Sequence, residues 1–522
     1  MRRRLSGAST EGAGPRRGLI GQSLLVTAAA CAQALAYSPS ALGFRSAWWL
    51  QALAVAVLAG CVGRVETRRR GAWLGWIYGT AWFTVATTWL FISMHRYGGL
   101  SAALAAMAVL ALSSFLALYF AAAMAMFVTW RRGRVTVDAL LFAAVWLLAE
   151  WARGVWLTGF PWAASGYAYV DSPLAALAPW CGAYGVGAVA AGLAAALGLA
   201  RSVKAAISAF VLGGAVMGGI SLLGARDFTV STGAMPVTLL QGNVPQNEKF
   251  LPQNLLSQLK WYGQELLAAG DGLVVAPETA IPLLPSMTPA SYWDNLRAAF
   301  NRSGRAALVG VPLGNERQGY TNSVVGLSDQ TMGGALPGYQ YSKHHLVPFG
   351  EFIPTGFHWF VRMMNIPLGD FNQGDLNQPS FAALGQRIAP NICYEDVFGE
   401  ELAVRMVDAD RAPTVLANLS NIGWFTPSLA VEQHLQMSRM RTLELQRPMI
   451  RATNTGATVV IDHRGRVTAR LAPYVQGVLH ASVEGRAGMT PFAWWAGRWG
   501  LWPLVCLALA VIAAIRRLPP RS

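Results

Sequence analysis

The chain has 522 residues, of which 54% are hydrophobic and only 13% are charged. This composition is too apolar for a water-soluble globular protein of this length, and it indicates a membrane protein. The formal net charge of +15 raises the question of nucleic-acid binding, but the arginines lie in short clusters between apolar runs, which is typical of cytoplasmic membrane loops. We therefore predict no nucleic-acid partner.

Eight apolar runs approach the ~20 residues that a helix needs to cross a bilayer. They begin near Leu19, Ala47, Ala72, Leu100, Ala139, Trp180 and Ala205, and the last comprises residues 499–515. The runs at 47–62 and 499–515 are short, whereas the run from Leu100 is long enough to tilt. The sequence thus predicts an α-helical membrane bundle of about eight transmembrane helices.

The basic residues beside these runs predict the orientation of the chain. They precede the first run or follow the second, fourth, sixth and eighth: Arg2, Arg3, Arg4, Arg16, Arg17, Arg64, Arg68, Arg69, Arg70, Arg131, Arg132, Arg134, Arg201, Lys204, Arg516, Arg517 and Arg521. Because such clusters stay in the cytoplasm, we expect both termini there and residues 226–488 on the outer, periplasmic side. Residues 1–225 would form the N-terminal membrane domain, and residues 489–522 a C-terminal helix and cytoplasmic tail.

The first run has a second interpretation. It combines a basic start, an apolar stretch and the sequence "ALA" at 34–36, as a cleaved signal peptide does. The placement of residues 226–488 is the same under both interpretations, because the later basic clusters fix it independently.

Glu150 and Arg153 are charged residues within a predicted span. They lie three positions apart in "LLAEWARGVW", on one face of a helix. Charged side chains at membrane depth are costly and often functional. The alternative is that they pair with each other near the outer interface.

Residues 226–488 alternate between strand-like and helix-like segments. The strand-like segments are "MPVTLLQGN", "GLVVAPET", "AALVGVPLG", "NSVVGLS", "QRIAPNICYED", "PTVLANLSN" and "PMIRATNTG", with a hairpin at "ATVVIDHRGRVTAR". The segments "NLLSQLKWYGQELLAAG" and "AVEQHLQMSRMRTLELQ" have apolar residues at helical spacing. This alternation predicts an α/β layered domain.

Cys393 is the single cysteine of this region, and it ends a strand-like run. In an oxidising compartment a thiol normally pairs, and Cys393 has no partner within its own domain. It is either a small buried hydrophobe or a nucleophile. A nucleophile would need a base to take its proton, and a cation or N–H donors where an oxyanion forms.

Two other segments contain such groups. Glu278 follows another strand in "VVAPETAIP", and Lys343 and Glu351 lie in "YSKHHLVPFGEFIP". Considered singly, a glutamate after a strand is more often a solvated loop residue than a base, and a lone lysine is usually surface charge. The seven histidines show no paired metal-ligand motif, so we predict no metal site.

Glu278, Lys343 and Cys393, in that chain order, resemble the catalytic set of the nitrilase superfamily. With the membrane part, the chain is similar to the bacterial apolipoprotein N-acyltransferase family within it. The similarity includes "LTGFPW" (157–162), "GYAYVDSPLAALAP" (166–179), "LLQGNVPQ", "PETAIP", "KHHLVPFGEFIP", "ICYED", "NLSNIGWF" and "QMSRMRTLELQRPMIRATNTG". It implies that residues 226–488 form a nitrilase-like αββα sandwich outside the membrane. It also implies that the whole chain belongs to the inner membrane of a bacterium.

The resemblance also implies residue roles. Glu278 would be the general base, Cys393 the nucleophile and Lys343 the group that stabilises the oxyanion. The implied supporting residues are Glu351, Tyr394, Glu395 and Asn322, and the implied substrate-binding residues include Phe250, Trp424 and Phe425. Phe250 stands where the family usually has tryptophan, and "SNIGWF" replaces the common "SND-WF". No cofactor is implied.

The implied reaction moves an acyl chain from a phospholipid to the α-amino group of the N-terminal diacylglyceryl-cysteine of a lipoprotein, through a thioester on Cys393. The apolar segment 356–369, with Trp359 and Met363, would be a lid that dips into the membrane interface. It could instead be a buried loop of the α/β core. The sequence says nothing about oligomeric state.

Two other functions remain open. A membrane-tethered nitrilase-type amidase would use the same residues, with water in place of the amine. A transporter or receptor would use the outer domain only to bind a ligand, and its function would survive Cys393→Ser.

Overall fold

The computed structural model describes residues 14–223, 226–329, 338–361, 363, 370–425 and 427–520. The N-terminal helices are α1 (Gly14–Leu35), α2 (Trp48–Val62), α3 (Arg68–Ala86), α4 (Trp89–Ile92), α5 (Ala102–Trp130), α6 (Val135–Val155), α7 (Ala178–Gly198) and α8 (Val203–Leu223). The last helices of the chain are α14 (Pro491–Trp499) and α15 (Trp502–Arg517). We call these helices, together with the segments that connect them within residues 14–223 and 491–517, the helical domain.

Within the described residues, five helical segments are long and apolar enough to cross a membrane. They are Gly18–Leu35, Ala102–Trp130, Val135–Thr158, Pro173–Gly198 and Val203–Leu222. Helices α14 and α15 meet at a bend of 92°, and α2 has only 15 residues. Helices therefore occupy the predicted positions, but the predicted count of eight spans is not confirmed.

Helices α3 and α5 pack closely because glycines line one face of α3. A methyl group on Gly75 would lie 2.5 Å from the carbonyl oxygen of Phe120 and 2.8 Å from Cγ of Met124. One on Gly79 would lie 2.8 Å from Cβ of Ala117. Small residues at such crossings let two backbones approach where lipid offers no hydrophobic driving force.

Glu150 and Arg153 are both buried inside the helical domain. Nη2 of Arg153 lies 3.9 Å from Oε1 of Glu150, and both side chains are fully buried. The Glu150 carboxylate also accepts hydrogen bonds at 2.7 Å from the backbone N–H and the hydroxyl of Ser165. The pair is therefore compensated by contacts inside the protein, as a charge at this depth requires.

The α/β domain contains two six-stranded sheets. Its strands are β1 (Thr229–Gln241), β2 (Gly272–Ala276), β3 (Arg305–Asn315), β4 (Gly319–Ser328), β5 (Tyr339–Ser342), β6 (Phe381–Ala383), β7 (Gln386–Ile392), β8 (Val415–Ser420), β9 (Met449–Thr453), β10 (Val459–Ile461), β11 (Val467–Arg470) and β12 (Gly477–Gly488). Its helices are α9 (Pro252–Ala268), α10 (Ala290–Phe300), α11 (His358–Val361), α12 (Gly399–Val404) and α13 (Ala430–Leu445). The strand order is β12-β1-β2-β3-β4-β5 in one sheet and β11-β10-β9-β8-β7-β6 in the other.

The layers follow from which strand faces are apolar. Inward side chains of both sheets, such as Val275 and Leu419, form one shared core. The other face of the first sheet packs on α9 and α10, and the other face of the second sheet packs on α13. In each sheet the central strands β1, β2 and β3, or β7, β8 and β9, run parallel. Their buried, β-branched sequences are typical of strands covered on both faces.

Two hydrogen bonds join the α/β domain to the helical domain. The Tyr167 hydroxyl donates to the carbonyl oxygen of Val397 at 3.0 Å. Helix α7 breaks at Gly182, where φ is +64°, and the backbone N–H of Ala183 donates to Oε1 of Glu444 at 2.6 Å. A side chain of the α/β domain thus satisfies a donor at a helix break, which couples the two domains.

We predict that Gly75→Leu lowers the free energy of unfolding of the detergent-solubilised protein by about 1–3 kcal/mol, because the leucine side chain would force α3 away from α5. Gly213→Leu is the matched control, since among the described residues nothing lies within 4 Å of a methyl group there. Thermal unfolding followed by tryptophan fluorescence measures both. Equal stability of the two variants would contradict this packing.

Candidate active site

Three functional side chains predicted from the sequence follow strand ends. Glu278 follows β2, Lys343 follows β5, and Cys393 follows β7 of the other sheet. Glu278 and Lys343 are 8% and 1% exposed, and Cys393 is partly exposed. The site therefore lies where carboxyl ends of strands from the two sheets meet, as sites in open α/β sheets usually do.

Lys343 is held between two carboxylates. Its Nζ lies 2.8 Å from Oε2 of Glu351, 2.9 Å from Oε1 of Glu351 and 3.7 Å from Oε1 of Glu278. Asn322 Nδ2 donates to Oε1 of both glutamates at 2.7 Å. Burial alone would lower the pKa of Lys343, but the Glu351 and Glu278 charges outweigh it and raise the pKa. Lys343 is therefore a fixed cation at neutral pH.

Glu278 is fixed by three further contacts. Its Oε2 accepts a hydrogen bond from the backbone N–H of Asn421 at 2.7 Å, and its own carbonyl oxygen accepts one from Nζ of Lys249 at 3.1 Å. A methyl group on Gly310 of β3 would lie 2.8 Å from the Glu278 Cα. Among the amino acids, only glycine at position 310 leaves room for the backbone at Glu278.

Cys393 begins a 3-10 turn (Cys393–Val397) directly after β7. Its φ of +51° lies in the left-handed region, which residues with a Cβ rarely adopt. Burial and the Glu278 charge raise the pKa of its thiol to about 12, while the Lys343 ammonium opposes that rise. The thiol is thus protonated at neutral pH, and a reaction at Sγ needs a base to remove the proton.

Glu395 connects the strand ends that carry Lys343 and Cys393. Its carboxylate accepts hydrogen bonds from the Tyr341 hydroxyl at 2.9 Å, from the His344 backbone N–H at 2.6 Å and from the Ile392 backbone N–H at 2.5 Å. Tyr341 belongs to β5 and Ile392 to β7. Glu395 therefore sets the spacing of the two strands.

Tyr394, Trp424 and Phe425 face the helical domain. The Tyr394 ring lies 6.5 Å from the ring of Trp162, the Phe425 ring lies 4.4 Å from that of Trp89, and the Trp424 ring lies 5.7 Å from that of Tyr97. These distances are within the range of favourable aromatic pairs. The three residues therefore form an aromatic layer between the site and the membrane helices.

Three of the residues predicted to bind lipid or form a lid are exposed. Phe250 is 47% exposed, Trp359 58% and Met363 46%. Nearby, Val361 packs in one cluster with Leu100 and with Ala105 of α5. Residues 362 and 364–369 of the predicted lid lie outside the described residues. The described part is a surface segment that contacts the helical domain.

Lys249 is a second buried lysine that the sequence did not single out. It is 2% exposed, and burial lowers its pKa to about 8, although Glu278 and Cys393 oppose the shift. Its contact with the Glu278 carbonyl brings it to the site. No spacing in the sequence signals that contact, although Lys249 stands three residues after the end of the "QGNVPQ" motif.

Among the described residues, no group of three or more His, Cys, Asp or Glu side chains is placed to hold a metal ion. The chemistry available at the site is that of a thiol, a carboxylate beside it and a buried ammonium. These are the groups that nucleophilic acyl transfer requires.

Two family models match the chain. The model described as "Carbon-nitrogen hydrolase" matches residues 237–491, so the α/β domain is a carbon-nitrogen hydrolase domain. The model described as "Apolipoprotein N-acyltransferase N-terminal domain" matches residues 29–196. The two matches follow the division into helical and α/β domains.

Curated relatives match nearly the whole chain. A protein of Verminephrobacter eiseniae (strain EF01-2) named apolipoprotein N-acyltransferase is 50% identical over 485 residues, which cover 87% of this chain and 89% of the relative. Relatives with the same name from Ralstonia nicotianae and Bordetella bronchiseptica are 45% and 42% identical and cover 90% and 96% of this chain. The chain belongs to the apolipoprotein N-acyltransferase family, and it is a multi-pass bacterial membrane acyltransferase.

We predict that Glu278→Gln and Lys343→Met change thiol alkylation in opposite directions. Removing the Glu278 charge removes one cause of the raised pKa of Cys393, so iodoacetamide should react faster between about pH 8 and 10, because the thiolate fraction rises. Removing the Lys343 ammonium raises the pKa further, so the reaction should slow. Peptide mass spectrometry over time gives both rates.

The exposed Cys506 supplies an internal reference rate for this alkylation. Its rate should be the same in both variants. Rates at Cys393 that move in the same direction in the two variants would show that these charges do not control the thiol.

Proposed function

We propose that this chain transfers an acyl group from a phospholipid to the α-amino group of the N-terminal diacylglyceryl-cysteine of lipoproteins, through a thioester on Cys393. The observation that carries the proposal is the buried Lys343 ammonium, which contacts Glu351 and Glu278 and lowers the pKa of the Cys393 thiol against the effect of burial. A fixed cation at this point can stabilise the oxyanion of both half-reactions.

In the first half-reaction Sγ of Cys393 attacks the ester carbonyl of the phospholipid. Glu278 takes the thiol proton and passes it to the glycerol oxygen as the tetrahedral intermediate collapses. The products are the thioester and a lysophospholipid. Lys343, with the backbone N–H of Tyr394, would stabilise the oxyanion. Glu351 and Asn322 support this role, because their contacts fix Lys343 and Glu278.

In the second half-reaction the acceptor amine attacks the thioester. Glu278 removes a proton from the amine and returns it to the Cys393 thiolate as the amide forms. The high pKa of the thiol, about 12, favours this reprotonation at neutral pH. Because the acyl group rests on the enzyme between the two halves, the kinetics should be ping-pong.

The membrane placement follows from the same proposal. Both substrates carry acyl chains, and each CH₂ costs roughly 0.8 kcal/mol to expose to water. Eight spans, with both termini in the cytoplasm and residues 226–488 in the periplasm, would put Cys393 at the outer face of the membrane. The aromatic layer of Tyr394, Trp424 and Phe425 would then line the path of the lipid.

Phe250, Trp359 and Met363 would contact the acyl chains. All three are exposed apolar side chains, and Val361, beside Trp359, packs on the helical domain. The predicted lid, which carries Trp359 and Met363, would thus lie at the membrane surface. Phe250 keeps an aromatic face but lacks the indole donor of tryptophan.

We predict that Trp359→Asp and Met363→Asp lower the rate of lipid acylation at least about tenfold, because the predicted lid would no longer enter the lipid interface. The melting temperature should stay unchanged. Met287→Asp is the matched control, since Met287 is also an exposed apolar side chain of the α/β domain. Thioester formation with vesicles is measured beside thermal unfolding. Parallel losses of acylation and stability would show that the predicted lid is instead a loop of the α/β core.

The proposed nucleophile is tested by intact-protein mass spectrometry after incubation with phospholipid vesicles. We predict an added acyl mass that hydroxylamine removes, and no such mass on Cys393→Ala. Cys31→Ala, at a partly buried thiol of α1, is the control and should acylate normally. Folded wild-type protein without an acyl mass would count for the receptor alternative. An acyl mass that only water discharges would count for the amidase.

A further inference from the structure

A buried polar network lies directly behind Cys393. Nε2 of His434 is 2.7 Å from Oδ1 of Asp396, and Nη1 of Arg451 is 3.2 Å from Oδ2 of Asp396. The Ser438 hydroxyl donates to the same Oδ2. Asp396, His434 and Arg451 are at most 1% exposed. The proposed proton transfers use none of these groups, so the network needs another explanation.

The donors in this network define the tautomer of His434. Nη2 of Arg451 lies 3.2 Å from Nδ1 of His434. A guanidinium can only donate, so Nδ1 must accept, and the ring proton is on Nε2. Nε2 lies 2.7 Å from Oδ1 of Asp396 and 3.2 Å from the carbonyl oxygen of Cys393, so its one N–H forms a bifurcated hydrogen bond to both oxygens. His434 is thereby oriented as a donor to the backbone of the nucleophile.

That backbone needs support. The left-handed conformation of Cys393, with φ +51°, is disfavoured for a residue with a Cβ. The Cys393 carbonyl accepts hydrogen bonds from His434 and, at 3.1 Å, from Nδ2 of Asn418. These side chains hold the turn that presents Sγ to Glu278 and Lys343.

The other side of His434 is covered by the helical domain. The ring of Trp162 lies 5.6 Å from the ring of His434, and Nε1 of Trp162 donates to Oε1 of Gln433 at 2.7 Å. The carbonyl oxygen of Trp162 accepts a hydrogen bond from Arg153 at 2.9 Å. Arg153 is the partner of Glu150, so the buried ion pair fixes the loop that carries Trp162.

We propose that His434 is a positioning residue for Cys393, which it holds through the Cys393 carbonyl, and that Trp162 ties it to the helical domain. The inference rests on the proposed role of Cys393 as the nucleophile. It makes the helical domain part of the catalytic apparatus as well as the membrane anchor. The Glu150–Arg153 pair then has a function: it orients Trp162.

The test uses the full chain in phospholipid nanodiscs. His434→Leu should lower the maximal rate of thioester formation at least about tenfold at unchanged KM, because a displaced nucleophile lowers the rate of chemistry without weakening lipid binding. His434→Gln keeps an N–H donor and should recover most of that rate. His480→Leu, at an exposed histidine of β12, is the control and should match the wild type.

Trp162→Leu gives the same test from the other domain if His434→Leu fails to fold. Its maximal rate should fall at unchanged KM, and the double variant should be no slower than the slower single variant, because coupled residues are not additive. A rate within about twofold of the wild type in His434→Leu or Trp162→Leu overturns the inference. A double variant whose loss of rate equals the product of the two single losses overturns it as well.

Alkylation of Cys393 by iodoacetamide separates this inference from the proposed function, because it needs no lipid. It should be faster in His434→Leu, since a displaced thiol leaves the burial and the Glu278 charge that together raise its pKa. Faster alkylation of Cys393 in His434→Leu, together with no thioester even in the wild type, would refute the proposed function and retain the positioning role. Unchanged alkylation and normal thioester formation in His434→Leu would refute the positioning role and retain the proposed function.

Discussion

The contact of Lys343 with two carboxylates is the constraint on which the rest of the site depends. A buried ammonium costs several kcal/mol unless it is compensated, and removing one partner of a buried ion pair costs about 3–5 kcal/mol. Glu351 and Glu278 must therefore stay within reach of Nζ, and Asn322 of β4 bridges them. This requirement fixes the ends of β2, β4 and β5 relative to one another. Glu395 then fixes β7, and with it Cys393.

The sequence predicted the parts of the fold that have strong local patterns. The segments "GLVVAPET", "AALVGVPLG" and "PTVLANLSN" are β2, β3 and β8, because β-branched runs covered on both faces are distinctive. The helices α9 and α13 have the expected apolar spacing. Glu278 and Cys393 follow strands whose carboxyl ends meet, which explains why residues 115 positions apart in the sequence are neighbours. Their catalytic roles remain predictions.

Features that tertiary contacts define were missed. Strand β5 ("YQYS") has four residues and exists through its pairing with β4, yet it delivers Lys343. Strand β12 was missed even though "LHASVE" (479–484) alternates apolar and polar residues, and its pairing with β1 places the apolar ones on the shared core. His434 and Lys249 stand in segments that read as ordinary helix and loop, and only the fold brings them to Cys393 and Glu278. The predicted count of eight spans is not confirmed, in part because α2 and α15 have only 15 and 16 residues.

The most direct measurement of the account follows a single acyl chain through both half-reactions. The protein is acylated with a labelled phospholipid, freed of excess lipid and mixed with a peptide that bears an N-terminal diacylglyceryl-cysteine. We predict that label leaves Cys393 at the rate at which it appears as an amide on the peptide, in equal amounts. Label that appears on the peptide without first residing on Cys393, or that leaves Cys393 only as free fatty acid, would contradict the account.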